Sequence, residues 1–336
     1  MSEDTASARP LKVGLYFDLR NPPQWRQDPA RTYAFALEMC EEAERLGVDS
    51  VWFTEHHLFD DDYLAAPLTL AAAVAARTSR IRVGTAVVIA PLHRPVELAE
   101  QAAAVDLISV GRLDLGIGAG YRVPEYQLYG ASLERRYGQT DQVARDLRRL
   151  WAPGGITPGP YQDRLPILMG YQGPQGARRA GLLGESLLTA NGEMWEPYRA
   201  GLEEAGHASS VGRMAGGIQG WVSEDPEADW PVVSGHLSHQ LNSYRRHMVE
   251  GTGAPVPRLV DPERVRARDP RGSIDHFFYD TPEGMVPRLR EHIGPAPVET
   301  VFFWASLGGM PEDVVARNVQ VIGGRLRPLL SAVREP

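Results

Sequence analysis

The run Thr54-Glu55-His56-His57 sets two imidazoles beside a carboxyl group, and imidazole is the side chain whose ordinary titration range suits proton transfer near neutral pH. Neighbouring residues of a strand point to opposite faces, so only one of the two histidines need face a reaction site. A structural histidine hydrogen-bonded to a loop carbonyl would use the same position differently. Together with the acidic run Asp60-Asp61-Asp62, the stretch also holds hard and borderline metal-binding groups. Neither H-E-x-x-H nor H-x-H spacing occurs there, and consecutive histidines diverge, so no metal ligands are assigned.

Two glycine-bearing stretches suit anion binding. In Gly116-Ile117-Gly118-Ala119-Gly120-Tyr121-Arg122, Gly118 and Gly120 let backbone amides approach a ligand and Arg122 is placed to meet an anion. The same glycines also suit a simple tight turn. In Gly170-Tyr171-Gln172-Gly173-Pro174-Gln175 a glycine turn leads into a helix, whose first amides suit a phosphate with Gln172 and Gln175 beside it. Arg178 and Arg179 fall inside that helix and are not counted. The small apolar run 84–91, with Ala86 and Val87, makes a lip for a flat hydrophobic ring, or else plain barrel core. Phe17, Trp52 and Trp304 are aromatic candidates to line a substrate pocket.

These residues follow apolar, β-rich segments. Strands are predicted at 12–17, 50–54, 81–89, 113–117, 165–169, 186–188, 217–222 and 300–304. Between and after them, helical spacing covers 31–46, 67–78, 96–109, 133–151, 175–183, 195–205, 227–249, 282–292 and 311–333. Eight β segments alternating with helices predict a parallel sheet closed into a (β/α)8 TIM barrel, with its active site at the carboxyl ends of the strands. The whole chain, 1–336, reads as one barrel domain with a polar tail over 1–10 and an irregular excursion over 251–276. An open doubly wound sheet would need a glycine fingerprint after the first strand, where 18–25 reads DLRNPPQW, and the 116–120 run lacks the third spaced glycine.

Composition narrows the function classes. Of 336 residues, 43% are hydrophobic and 23% charged, which excludes a disordered or fibrous chain. A net charge of −8 without a basic block argues against nucleic acid as a partner. The single Cys40 rules out an internal disulfide or a thiol-held cluster. A polar, acidic N-terminus and short apolar runs predict a cytoplasmic protein with no membrane partner.

Four segments in order resemble the bacterial luciferase-like flavin-dependent monooxygenase family: AERLGVDSVWFTEHH (43–57), RIRVGTAVVIAPLHRPVELAEQ (80–101), GRLDLGIGAGYRVPEYQLYG (111–130) and VETVFFWASLGGMPEDVV (298–315). The resemblance implies a (β/α)8 enzyme that uses reduced FMN (FMNH2) and dioxygen, through a flavin C4a-(hydro)peroxide, to oxygenate a small organic substrate. It implies the flavin ring against Ala86-Val87, where relatives carry a non-proline cis peptide. It makes His56 the catalytic histidine and the loop at Gly170 the phosphate loop. It also implies a homodimer.

Departures from the family pattern have consequences. Gly118 and Ala119 stand where luciferase alpha subunits carry a reactive cysteine and a phosphate-binding arginine. Long-chain aldehyde luminescence is therefore not expected, and phosphate contacts fall to Arg122 or to the amides and glutamines of 170–175. Tyr171-Gln172 replaces a commoner pair of small residues, and the stretch 151–165 is short. Weak cofactor affinity, or delivery of reduced flavin by a separate reductase, fits these changes. Two alternatives stand beside the monooxygenase: an F420-dependent dehydrogenase or reductase on the same barrel, and a non-catalytic flavin-binding subunit, against which the intact Glu55-His56-His57 argues.

Overall fold

The structure is a computed structural model that describes residues 10–267 and 277–332. The first strand shows how sequence becomes barrel wall. In β1 (Lys12–Phe17), Val13, Leu15 and Phe17 pack outward into the layer that Ala36 and Cys40 share, while Tyr16 turns to the interior. The same alternation of faces recurs around the sheet. It runs through β2 (Ser50–Phe53), β3 (Arg82–Thr85), β4 (Val88–Ile89), β5 (Leu113–Gly118), β6 (Ile167–Met169), β7 (Ser186–Leu188) and β8 (Met214–Ile218). Then come β9 (Gly220–Val222), β10 (Phe278–Asp280) and β11 (Val298–Trp304).

All strand pairings are parallel. β11 joins both β8 and β1, and β3 joins β5, which closes eight strands into a ring in the order β1, β2, β3, β5, β6, β7, β8, β11. The predicted (β/α)8 barrel is therefore the observed architecture. Around it lie α1 (Pro29–Arg45), α2 (Pro67–Arg77), α3 (Pro95–Ser109), α4 (Val123–Tyr129), α5 (Arg136–Leu150), α6 (Gly173–Leu183) and α7 (Trp195–Glu204). They are followed by α8 (Pro226–Val249), α9 (Pro262–Arg266), α10 (Pro282–Ile293), α11 (Glu312–Val321) and α12 (Arg327–Ser331). Many begin on a proline, where the missing N–H costs no helical bond, and α1, α8, α9 and α10 are capped by Asp28, Asp225, Asp261 and Thr281. Among the described residues no helix is long and apolar enough to cross a membrane.

The barrel interior is filled by rings. Trp52, Leu168, Ala215 and Phe302 form an inner cluster on which Tyr16, Ala86 and Leu188 pack. Trp52 stacks on Phe302 at 4.6 Å and Tyr16 on Phe302 at 6.2 Å, so an aromatic column rises toward the carboxyl ends of the strands. Gly84 makes this possible, because a Cβ there would lie 2.4 Å from the Trp52 ring. The indole N–H of Trp52 donates to Ser50 Oγ at 2.9 Å, so the buried donor is satisfied.

Several sequence boundaries move. The strand predicted at 81–89 is two, β3 and β4, separated at Ala86-Val87, whose peptide bond is cis as the resemblance implied. The segment 217–222 spans two different sheets: β8 belongs to the barrel, and β9 pairs with β10 outside it. No proline or turn pair falls at Gln219, so the sequence does not mark that break. The helix predicted at 133–151 starts at Arg136 and is preceded by a separate α4, and the terminal helix is interrupted by a π-turn over Ile322–Leu326. Of the predicted excursion, 251–267 is described and carries α9; 268–276, residues 1–9 of the tail and residue 333 lie outside the described residues.

Where β3 gives way to β4, Gly116 of β5 lies against the Thr85 carbonyl, and a Cβ at 116 would sit 1.9 Å from that oxygen. Gly138, in α5, faces open space. Gly116→Ala is expected to lower stability by about 3 kcal/mol through overpacking, whereas Gly138→Ala should raise it by about 0.5 to 1 kcal/mol through helix propensity. Denaturant melts of both variants check this, and equal effects would contradict the packing assignment.

Candidate active site

His56 leaves the carboxyl end of β2 in a loop that is tied back to β1. Its N–H donates to Leu64 O at 3.0 Å, and the Leu64 N–H donates to Asp18 O at 3.0 Å. The ring Nδ1 lies 2.8 Å from Oε1 of the fully buried Glu125 on α4, and the same oxygen accepts the His57 N–H at 2.8 Å. With Nδ1–H donated to Glu125, Nε2 is the nitrogen left for chemistry, and the Tyr121 hydroxyl lies 3.3 Å from it. Phe59, Tyr63, Tyr121 and Tyr244 surround the imidazole with ring centroids 4.7, 4.9, 5.3 and 6.1 Å away.

Glu55 and His57 face elsewhere. Glu55 Oε1 meets His57 Nε2 at 2.9 Å and His93 Nε2 at 2.8 Å, and Oε2 accepts the Ile89 N–H at 2.6 Å. Burial alone would raise the Glu55 carboxyl, but the hydrogen bonds from His57, His93 and Ile89 bring it down to about 2. His93 is raised by the same pair against its own desolvation. The adjacent histidines thus divide: His56 turns to the mouth, and His57 joins a clamp that holds β4 against the β2 loop.

Ala86 and Val87 lie half-buried at the mouth, where the lip was expected. The glycines have a different use from the one expected. A Cβ on Gly118 or Gly170 would meet Val87 methyls at 2.6 and 2.5 Å, and one on Gly120 would meet Ile89 at 2.7 Å, so these positions make room for β4 side chains. Arg122 is not free for an anion: it is 1% exposed, donates to the His57 and Leu58 carbonyls, and pairs with Glu250 at 2.6 Å. Tyr171 turns away to α5, its hydroxyl donating to Asp141 at 2.6 Å.

Gln172 and Gln175 are exposed at the start of α6, which has no side-chain cap. Arg178 and Arg179, by contrast, are held by Glu204 and Asp141. Trp52 lies in the barrel interior beneath the mouth, and Trp304 ends β11 with its ring 6.4 Å from Phe277. Phe17 points outward and lines a small recess with Phe35 and Val315, so Tyr16 is the β1 aromatic on the inner face. For a flavin or deazaflavin, the uncapped α6 terminus and the exposed glutamines fit a phosphate through neutral donors, and Ala86-Val87 fits the flat ring. The residues present therefore fit the group.

Sequence reasoning missed a second cluster at the mouth. Arg20 and Asp61, both without side-chain exposure, pair at 2.7 Å, and Asp61 Oδ2 also meets His239 of α8 at 3.1 Å. Burial raises the Asp61 carboxyl, but His239 and Arg20 outweigh it and hold it at about 2. Asp18 is raised to about 6 by burial, with Arg20 opposing and Asp61 adding. The hydroxyls of Tyr16, Tyr63 and Tyr244 form a chain at 3.3 and 2.7 Å. Alternation along β1 was the available signal, since Tyr16 and Asp18 share the face opposite Phe17; nothing local pointed to Tyr244 or Glu125.

The clamp has a defined pH window. Glu55, depressed, contributes stability above its ordinary value of 4.5 and loses it as pH falls toward about 2; His93, raised, contributes below 6.5 and loses it as pH rises past its folded value. Glu55→Gln is expected to cost about 2 kcal/mol at about pH 6 and clearly less at about pH 3. Thermal melts at the two pH values read this, and a loss that grows toward acid would contradict it.

Against this geometry, comparison with known proteins gives consistent findings. The sequence profile described as luciferase-like monooxygenase matches residues 13–274. The oxygenase component of a flavin-dependent trigonelline monooxygenase from Acinetobacter baylyi is 37% identical over 102 residues, 30% of this chain and 28% of that protein. An F420-dependent glucose-6-phosphate dehydrogenase from Kribbella flavida is 28% identical over 72% of this chain and 83% of its own length. The crystal structure of monooxygenase RslO1 from Streptomyces bottropensis superposes with a TM-score of 0.75 at 23% identity, covering 95% of this chain and 99% of that one, and so shares the fold. With a profile match across most of its length and a barrel of this form, the chain belongs to the luciferase-like monooxygenase family, a family of oxidoreductases with both flavin-dependent and F420-dependent relatives.

Proposed function

We propose that the protein is a flavin-dependent monooxygenase that takes reduced FMN and dioxygen and oxygenates a small organic substrate, with His56 as its proton-transfer residue. The observation that carries this reading is the buried Glu125 holding His56 Nδ1, which leaves Nε2 at the barrel mouth beside the Tyr121 hydroxyl. Reduced flavin, when bound, supplies the two electrons that let one oxygen atom enter the substrate and the other leave as water.

The chain supplies the rest. Ala86 and Val87 give a flat apolar surface, and Gln172, Gln175 and the first α6 amides give neutral donors for a phosphate. Phe59, Tyr63, Tyr121 and Tyr244 keep bulk water from the imidazole. His56 Nε2 takes a proton and returns it, and Glu125 fixes the tautomer and stabilises the charged ring. A phosphate held by neutral donors supports modest cofactor affinity and a separate reductase as the source of reduced flavin. That arrangement agrees with the name of the trigonelline enzyme as an oxygenase component.

A second reading is an F420-dependent dehydrogenase, favoured by the longer match to the Kribbella enzyme. There His56 would serve the hydroxyl proton of a substrate losing hydride, and no oxygen would be used.

His56→Ala is expected to lower substrate-coupled oxygen uptake by about 100- to 10,000-fold, with little change in binding of reduced FMN. Glu125→Gln, which keeps an acceptor for Nδ1 but not the stabilisation of a charged ring, should cost about tenfold. Wild-type turnover in His56→Ala would remove that residue from the mechanism.

A further inference from the structure

We propose that Tyr16, Tyr63 and Tyr244, with Asp18 and Arg20, form the substrate-recognition subsite, and that it selects a neutral aromatic substrate bearing a hydroxyl group. This deepens the proposed function and rests on the barrel mouth being its substrate site.

Asp18 and Arg20 are only 1% and 4% exposed, yet Asp18 Oδ2 and Arg20 Nη1 have no hydrogen-bond partner. Buried polar atoms in that state are costly, and a bound partner that pairs them gains what they lack. The three tyrosine hydroxyls, linked at 3.3 and 2.7 Å, keep lone pairs that can still accept. The subsite therefore offers a donor on Arg20 and an acceptor on Asp18.

A substrate hydroxyl answers both, accepting from Arg20 and donating to Asp18. A carboxylate would face Asp18 and Asp61, while Arg20 is already held by Asp61 at 2.7 Å. An ammonium group could donate to Asp18 but has no lone pair to accept from Arg20 Nη1, and would leave it unpaired. A bare hydrocarbon would leave every orphan atom unpaired.

The shape of the mouth favours a flat ring. Tyr16, Ala86, Val87, Tyr121, Leu188 and Tyr244 are half-buried at the carboxyl ends of the strands and on α8. Tyr16 is fixed from below by its stack on Phe302, which rests on Trp52. The Arg20 guanidinium lies 4.8 and 5.2 Å from the Tyr244 and Tyr63 rings, which holds the hydroxyl chain in place from the side. A preorganised array of this kind loses little entropy on binding.

The test titrates the purified protein, with and without reduced FMN, with naphthol, naphthoate, naphthylmethylammonium and naphthalene at neutral pH, read by fluorescence. Naphthol is expected to bind about tenfold more tightly than the other three, the equivalent of one net hydrogen bond. Tyr16→Phe should bring naphthol to within about threefold of naphthalene and leave naphthalene unchanged. Asp18→Asn should tighten naphthoate by about threefold or more, a change that a merely structural Asp18 would not produce.

Equal or tighter binding of naphthoate or the ammonium probe would overturn the proposal. So would an unchanged order of affinities in both variants, or no saturable binding of any probe. Titration of the same preparations with reduced FMN reads the flavin chemistry separately. Naphthol selectivity without FMN binding would overturn the monooxygenase reading alone, and FMN binding without selectivity would overturn the subsite alone.

Discussion

One oxygen of Glu125 takes hydrogen bonds from two consecutive residues, the ring of His56 and the backbone N–H of His57. The carboxyl group is wholly buried, so it has no water to replace either partner. Arg122, the residue before α4, reaches from the same side to the carbonyls of His57 and Leu58. α4 therefore grips both the donors and the acceptors of the loop after β2. Breaking such a buried arrangement from one side typically costs about 3 to 5 kcal/mol. The direction of His56, and hence the site, depends on this grip.

The mouth is built outward from the barrel interior in the same way. Trp52 needs Gly84 beneath it, Phe302 stacks on Trp52, and Tyr16 stacks on Phe302. Tyr16 then begins the hydroxyl chain that ends on α8 at Tyr244, while His239 and Ser243 of the same helix hold Asp61. The long helix thus serves as a wall of the site as well as part of the outer layer. Glu55 completes the opposite wall by fixing the backbone at Ile89, next to the Ala86-Val87 lip. Each wall is held by a buried carboxyl group, Glu55 or Asp61, supplied from the loop after β2.

Much of the fold was legible because its signals are local and periodic. β1 begins and ends where the apolar run 12–17 does, and alternation of strands with helices led directly to the closed barrel. The break between β8 and β9 was not legible, because it depends on which neighbour each half finds, and β10 lies more than 50 residues further on. The site was legible as a place more than as a set of contacts. The lip and His56 were found at strand ends, where backbone direction suffices. Arg122 was misread because its partners at 57, 58 and 250 are distant in sequence, and a free arginine and a committed one look alike in a string of letters. Gly118 reads as letting amides approach a ligand and Gly170 as a turn into a helix, and the room both leave for Val87 is visible only in three dimensions.

The proposed function has this barrel mouth work with reduced flavin and oxygen. Anaerobic titration of the purified protein with reduced FMN, followed by mixing with oxygenated buffer, tests it without a known substrate. Saturable binding of reduced FMN, with reoxidation of the bound flavin on a time course distinct from free flavin, is the predicted result. No binding of reduced FMN, together with tight binding of F420 and turnover that proceeds without oxygen, would contradict it.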